Sequence, residues 1–340
     1  MSGERFDLQP HVGYLTQQRE RRLAFRAESV DQFLAWQKEL REVLWRLLGL
    51  ARRQRPQRPR AEHITSVPRD GYVEDKYALD VGEGVEAPVY ILVPDGRPPF
   101  KPILVFHGHD PSVQYVLGNY PGPEIAEEMH ATHNNYAQAL AQAGYLVCAV
   151  EQRGFGERQS TQFEPEERSC RHLAFNYLLA GRTLLGERVW DGMCAIDFLT
   201  QRSDVAPGIL GCTGNSGGGT TSLWLSALDE RISVVIPSCY FCSLSASIGS
   251  IWHCECNYVP GVLEWAEMGD LAALIAPRPL RLINGEGDPI FPVAAAREQF
   301  ETVRRAYKLS GAGERCSHAV HTDDHRYDHA LSQEWFARWL

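Results

Sequence analysis

The pentapeptide Gly214-Asn215-Ser216-Gly217-Gly218 sets a hydroxyl among residues that lack side chains. An apolar segment, GILGCT (208–213), precedes it, and TTSLWLSALDE (220–230) follows with helical character. A nucleophile on a sharp strand-to-helix turn needs such neighbours, so that the backbone can bend and the hydroxyl stand clear. The same glycines could cradle a phosphate, but no Lys-Ser or Lys-Thr pair follows them, as a nucleotide-binding loop would require. Ser216 therefore reads as a nucleophile for acyl transfer.

A serine hydroxyl needs a base, and the base needs an orienting carboxylate. On a strand–turn–helix scaffold they follow the serine in the order acid, then histidine. The acid falls in Asn284-Gly285-Glu286-Gly287-Asp288-Pro289, just beyond the apolar run 280–283. Asp288 is the choice there and Glu286 its rival. Four histidines crowd the tail: His318, His321, His325 and His329. His318 lies in an expected strand and His329 in an expected helix. His325 sits between the two, where a loop could swing its ring toward the serine, so it reads as the base. The developing oxyanion needs donors. The backbone N–H of Gly217 supplies one, and that of His109, in Phe106-His107-Gly108-His109-Asp110, the other.

Other residue clusters suggest different chemistry. Cys239, Cys242, His253, Cys254 and Cys256 have ligand types suited to zinc, although C-x-C is tighter than the usual finger spacing. His107 and His109 form an H-x-H pair. His321, His325 and His329 recur every four residues, which on a helix would align three imidazoles for a metal-dependent hydrolase. The serine arrangement is preferred to all of these, so no metal or cofactor is expected.

The surrounding elements must bring Ser216, Asp288, His325 and His109 together. Short apolar runs (102–108, 145–154, 208–214, 232–238, 278–285 and 316–320) alternate with helical stretches at 134–144, 188–202, 292–307 and 329–340. Such alternation implies right-handed crossovers and a mainly parallel sheet. Residues 65–81 and 87–96 read as two further strands at its antiparallel edge. Residues 29–50 read as an amphipathic helix, with Phe33, Leu34, Trp36, Leu40, Val43, Leu44 and Leu47 at three- and four-residue steps. A basic, proline-bearing stretch (51–63) reads as a solvated linker. The expected division is a helical N-terminal extension with its linker (1–60) and a catalytic domain (61–340). The N-terminal helices offer a face for a second copy of the chain.

In this order the segments resemble the dienelactone-hydrolase and acetyl-xylan-esterase-like branch of the α/β-hydrolases. The resemblance spans roughly 70–340. It rests on PILVFHGH (102–109), EQRGFGE (151–157), GRTLLGERVWDGMCAIDFL (181–199), GCTGNSGGG (211–219), HCECNYVPG (253–261), IAPRPLRLINGEGDPIFP (275–292) and DDHRYDHALSQEWFARWL (323–340). It implies an α/β-hydrolase fold with a mostly parallel twisted sheet of about eight strands. It also implies Ser216 as nucleophile, Asp288 as acid, His325 as base, and His109 with Gly217 at the oxyanion. Small-acyl esters, acetylated sugars among them, are the implied substrates, with peptide or amide cleavage as the alternative on the same residues. Asp324 departs from the family, which often has Gly before the histidine, and Glu151 stands where Asp is more familiar.

The composition fits such an enzyme. With 44% hydrophobic residues over 340 positions there is material for a large core. A net charge of −9 argues against a nucleic-acid partner, whose phosphates call for Lys and Arg. The polar N-terminus lacks a secretory apolar region, and no run is long enough to span a bilayer. The expected partner is a small-molecule ester, with no membrane association. The expected location is the cytoplasm.

Overall fold

A computed structural model describes residues 6–17, 20–51, 53–56, 58–162 and 169–340. Its centre is one nine-stranded sheet. The strands are β1 (Ala61–Arg69), β2 (Tyr72–Asp80), β3 (Glu86–Pro94), β4 (Pro102–Phe106), β5 (Leu146–Val150), β6 (Gly211–Asn215), β7 (Val234–Ser238), β8 (Leu280–Gly285) and β9 (Cys316–His321). Their order is β1-β2-β3-β5-β4-β6-β7-β8-β9. Pairing is antiparallel from β1 through β3 to β5 and parallel from β5 across to β9.

The expected mainly parallel sheet is present, with nine strands where about eight were anticipated. Residues 65–81 are two strands rather than one. Gly71, at φ 82°, turns the chain between them in the left-handed region that glycine enters without steric cost. The central strands β4, β5, β7 and β8 are buried along their whole length, as continuous apolar runs demand of strands covered on both faces.

The helices are α1 (Gln9–Gln17), α2 (Val30–Leu47), α3 (Pro123–Ala131), α4 (Tyr136–Gln142), α5 (Ser169–Leu179), α6 (Leu184–Leu199), α7 (Gly217–Leu228), α8 (Val262–Trp265), α9 (Met268–Ala273), α10 (Val293–Leu309) and α11 (His329–Trp339). Helix α2 starts on a Ser29 side chain that accepts from Gln32 N–H. Its Phe33, Trp36, Leu40, Val43 and Leu44 join the same apolar core as α6, α7, α9 and α10. Its Gln37 donates to the Leu274 and Ala276 carbonyls. The α2 face that looked available to a second copy is thus occupied by the chain's own core. Among the described N-terminal residues, Val12, Tyr14 and Leu15 of α1 and Val30 and Leu34 on the outer side of α2 leave apolar side chains exposed. No described helix is long and apolar enough to cross a membrane.

From β4 the chain steps to β5 on one side of it, then returns past β4 to β6 on the other. This reversal opens a crevice at the carboxyl ends of the parallel strands, where α/β sheets place their sites. The turns after β4, β5, β6, β8 and β9 all emerge at that edge.

Candidate active site

Ser216 follows β6 and precedes α7, with φ 55° and ψ −119°. A non-glycine residue held there stores about 1–3 kcal/mol of backbone strain. The neighbours explain how it is held. The Ser216 N–H donates to the Ser238 carbonyl at 2.9 Å. A Cβ on Gly218 would lie 1.9 Å from the Phe106 carbonyl oxygen, and one on Gly214 would lie 2.5 Å from Gly218 backbone. Only glycines let α7 start this close to β4. The steric reading of the pentapeptide therefore holds.

Asp288 lies in the loop after β8 with its side chain wholly buried. One carboxylate oxygen accepts from the Ile290 and Phe291 N–H groups at 2.8 and 3.1 Å. The other is 2.7 Å from Nδ1 of His325, which stands between β9 and α11. Burial works to raise the Asp288 pKa, but the His325 hydrogen bond and charge, with the two backbone amides, hold it below its ordinary value. Phe291 stacks on the His325 ring at 5.7 Å between centroids.

The rival residues go elsewhere. Glu286 is exposed. His318 meets the Asn284 side chain, His321 the Arg326 carbonyl, and His329 the His133 carbonyl. Of the three histidines spaced by four, His329 alone lies in a helix, so they do not form a common face. His107 is buried against Gln152 and Glu151, while His109 turns to Cys256, so the H-x-H pair diverges. Cys239 and Cys242 donate to the Arg326 and Pro292 carbonyls, apart from Cys254 and Cys256.

Ser216, His325 and His109 line one cavity of about 470 Å³, together with His253, Trp252 and Met129. Among the described residues no hydrogen bond yet joins the Ser216 hydroxyl to His325, a spacing that such pairs often close only with substrate bound. The amide N–H groups of His109 and Gly217 have no acceptor among the described residues. Asp110 shapes the loop around His109 by accepting from Gly108 N–H at 3.1 Å, and Asn134 holds that carboxylate at 2.8 Å.

Of the aromatic residues in and near the loops around the site, Trp252 lines the cavity and is 90% exposed. Phe291 is buried behind the His325 ring. Tyr258 instead donates to the Ile248 carbonyl, and Trp265 sits beneath the Arg22 and Arg46 guanidiniums. His253 is a further pocket group. Burial, reinforced by nearby His109 and His325, pushes its pKa down to about 4, so it is neutral. Its Nδ1 faces the Asn257 amide nitrogen and its Nε2 finds no partner among the described residues. Its position inside the HCECN segment was the available signal, where a zinc-ligand reading was set below the serine arrangement.

Comparison with known proteins matches this geometry to one family. The model of the Abhydrolase family matches residues 12–335. The provisionally named hydrolase YtaP of Bacillus subtilis (strain 168) is 27% identical over 305 residues, covering 89% of this chain and 98% of YtaP. A Bacteroides fragilis structure, provisionally named an acetyl xylan esterase, is superposable with a TM-score of 0.78 at 19% identity, over 93% of this chain and 82% of that one. A glucuronoyl esterase from Solibacter usitatus gives a TM-score of 0.66 at 14% identity, over 92% and 95%.

Proposed function

Because the chain belongs to the Abhydrolase family, we propose that it is a serine carboxylic-ester hydrolase working through an acyl-enzyme. The observation that carries this reading is the strained Ser216, opening on the same cavity as a His325 ring tethered to buried Asp288.

In this mechanism His325 takes the Ser216 proton at Nε2 as the hydroxyl attacks the ester carbonyl. Asp288, bonded to Nδ1, fixes the tautomer that leaves Nε2 free to accept, and it stabilises the imidazolium that forms. The free N–H groups of His109 and Gly217 serve the oxyanion. His325 then protonates the leaving alcohol and activates the water that releases the acid. A small-acyl ester of a sugar-like alcohol is the preferred substrate. An exposed Trp252 beside polar cavity groups suits a sugar face, and the names of the Bacteroides and Solibacter proteins point the same way. Amide cleavage on the same residues is the second reading.

The test pairs turnover of a short-chain aryl ester with covalent capture by a fluorophosphonate. Wild type should turn over and carry the label on Ser216, and Ser216→Ala should lose both while keeping its thermal transition. Undiminished turnover in Ser216→Ala, or a label found only elsewhere, would sink the proposal. Turnover of anilides but not esters would select the second reading.

A further inference from the structure

Beside the proposed nucleophile site, three soft or borderline side-chain donors that its chemistry does not use converge from segments far apart in sequence, with the thiol of Cys170 beside them. The His109 Nε2 is 3.2 Å from Cys256 Sγ. Nε2 of His109 and the sulfurs of Cys254 and Cys256 all lie within 4.8 Å of one another. Cys170, at the start of α5, lines a neighbouring cavity together with His109 and Cys254. All nine cysteines are free thiols, so no disulfide competes for these sulfurs.

We propose that His109, Cys170, Cys254 and Cys256 form a zinc site at the mouth of the cavity. Zinc prefers four tetrahedral ligands of this kind, with bonds of about 2.0–2.3 Å to nitrogen and sulfur. Those bonds put neighbouring donors about 3.5–3.8 Å apart; His109, Cys254 and Cys256 stand close to that already, and Cys170 would join by rotating its side chain in from the wall of the cavity it shares with His109 and Cys254. Three thiolates and one neutral imidazole around Zn²⁺ leave one net negative charge. The fully buried Arg188 answers it, with Nη2 at 3.3 Å from Cys170 Sγ. An entry path exists, because a second cavity of about 420 Å³ is lined by His109, Cys170 and Cys254.

The fold also supplies a reason for such a clamp. Between β7 and α8 the chain runs from 239 to 261 with a single 3-10 turn at Glu255–Asn257 and no strand or longer helix. Irregular segments of that length need tethering if they are to present a fixed surface. This one carries Trp252 and His253 over the cavity. The metal would fasten it to α5 and to the His109 loop. The His109 ring also rests where a Cβ on Gly217 would stand, 2.9 Å away, so ring and proposed oxyanion donor are linked mechanically.

The test is direct metal analysis of the full-length protein expressed with added Zn²⁺, followed by replacement with Co²⁺. Wild type should carry about one equivalent of zinc per chain. Its Co²⁺ form should show the thiolate charge-transfer and intense d–d bands of tetrahedral sulfur coordination. Cys254→Ser, at a half-exposed position, and the Cys254→Ser/Cys256→Ser pair should lose the metal and those bands. Cys316→Ser, far from the cluster, should keep both. Wild type that neither retains zinc nor binds added Zn²⁺ or Co²⁺ would overturn the proposal. So would Co²⁺ bands that survive in the double variant, or a Cys254–Cys256 disulfide in freshly purified enzyme. These readouts do not depend on turnover, so their failure is separable from failure of the esterase reading.

Discussion

Replacing Asp288 by asparagine tests the orienting carboxylate with almost no change in shape. In wild type one Asp288 oxygen accepts from the Ile290 and Phe291 N–H groups while the other faces His325 Nδ1 at 2.7 Å. Asparagine has one oxygen to offer. Turning it toward His325 would strip both backbone amides of their acceptor, at about 1–3 kcal/mol each for buried groups. The amide oxygen therefore stays on the backbone, and Nδ2 is presented to the ring as a donor. His325 must then accept at Nδ1 and carry its proton on Nε2, the nitrogen that has to receive the Ser216 proton. A locked wrong tautomer of this kind lowers turnover by about 10⁴-fold, or about 5.4 kcal/mol of activation free energy. The assay is kcat/KM on an aryl acetate, with the thermal transition measured in parallel to show that the fold persists. A loss below about tenfold in a folded Asp288→Asn protein would refute the argument. A larger loss for Glu286→Gln than for Asp288→Asn would refute it as well.

Three further outcomes follow from the same geometry. Gly218→Ala drives a methyl group into the Phe106 and His107 carbonyls. It should cost about 3 kcal/mol or more in a urea unfolding curve. Gly217→Ala, which meets only the His109 ring, should cost clearly less. Asp191, buried, pairs with Arg153 and Arg158. Asp191→Ala leaves Arg158 without its carboxylate and Arg153 with Glu187 alone, and should cost about 3–5 kcal/mol by calorimetry. His318 is pushed down to about 4 by burial, helped by Arg297. Its folded pKa lies below the unfolded value of 6.5, so the unfolded chain binds the extra proton first and stability falls as pH drops from 6.5 toward 4. His318→Gln should flatten that part of the Tm-against-pH profile.

Segments buried on both faces were plain in the sequence, and exposed ones were not. The runs behind β4, β5, β7 and β8 are continuous because every residue in them is buried, and their order gave the sheet. Strand β1 escaped as a separate element because it is an edge strand whose residues are almost all exposed, so no alternation marks it. Helix α3 buries none of its residues, and PEIAEEMHA carries no apolar period to reveal it. The turns that carry Ser216, Asp288 and His325 were readable because each lies between two well-marked elements. The meeting of His109 and Cys170 with Cys254 and Cys256 was not. Those residues lie in three separate segments of the chain, and only the completed sheet and its loops bring them together.

Asp324 shows why a departure from a family's residue pattern need not disturb the geometry. The family often has glycine before the histidine, which suggests a close approach of backbone at that point. The close approach is present, but its glycine is on the opposite loop. A Cβ on Gly285 would fall 1.9 Å from the Asp324 carbonyl oxygen and 2.8 Å from that of Asp323. Across the gap that Gly285 leaves open, Glu286 N–H donates to the His321 carbonyl and Gly287 N–H to that of Asp323. Two loops are thereby laced together by backbone alone, one carrying Asp288 and the other His325. Contact at the seam comes from the carbonyl of residue 324, so an aspartate serves there as glycine would. The steric demand at this seam falls on position 285, and the 2.7 Å contact between Asp288 and His325 joins the two loops that meet there.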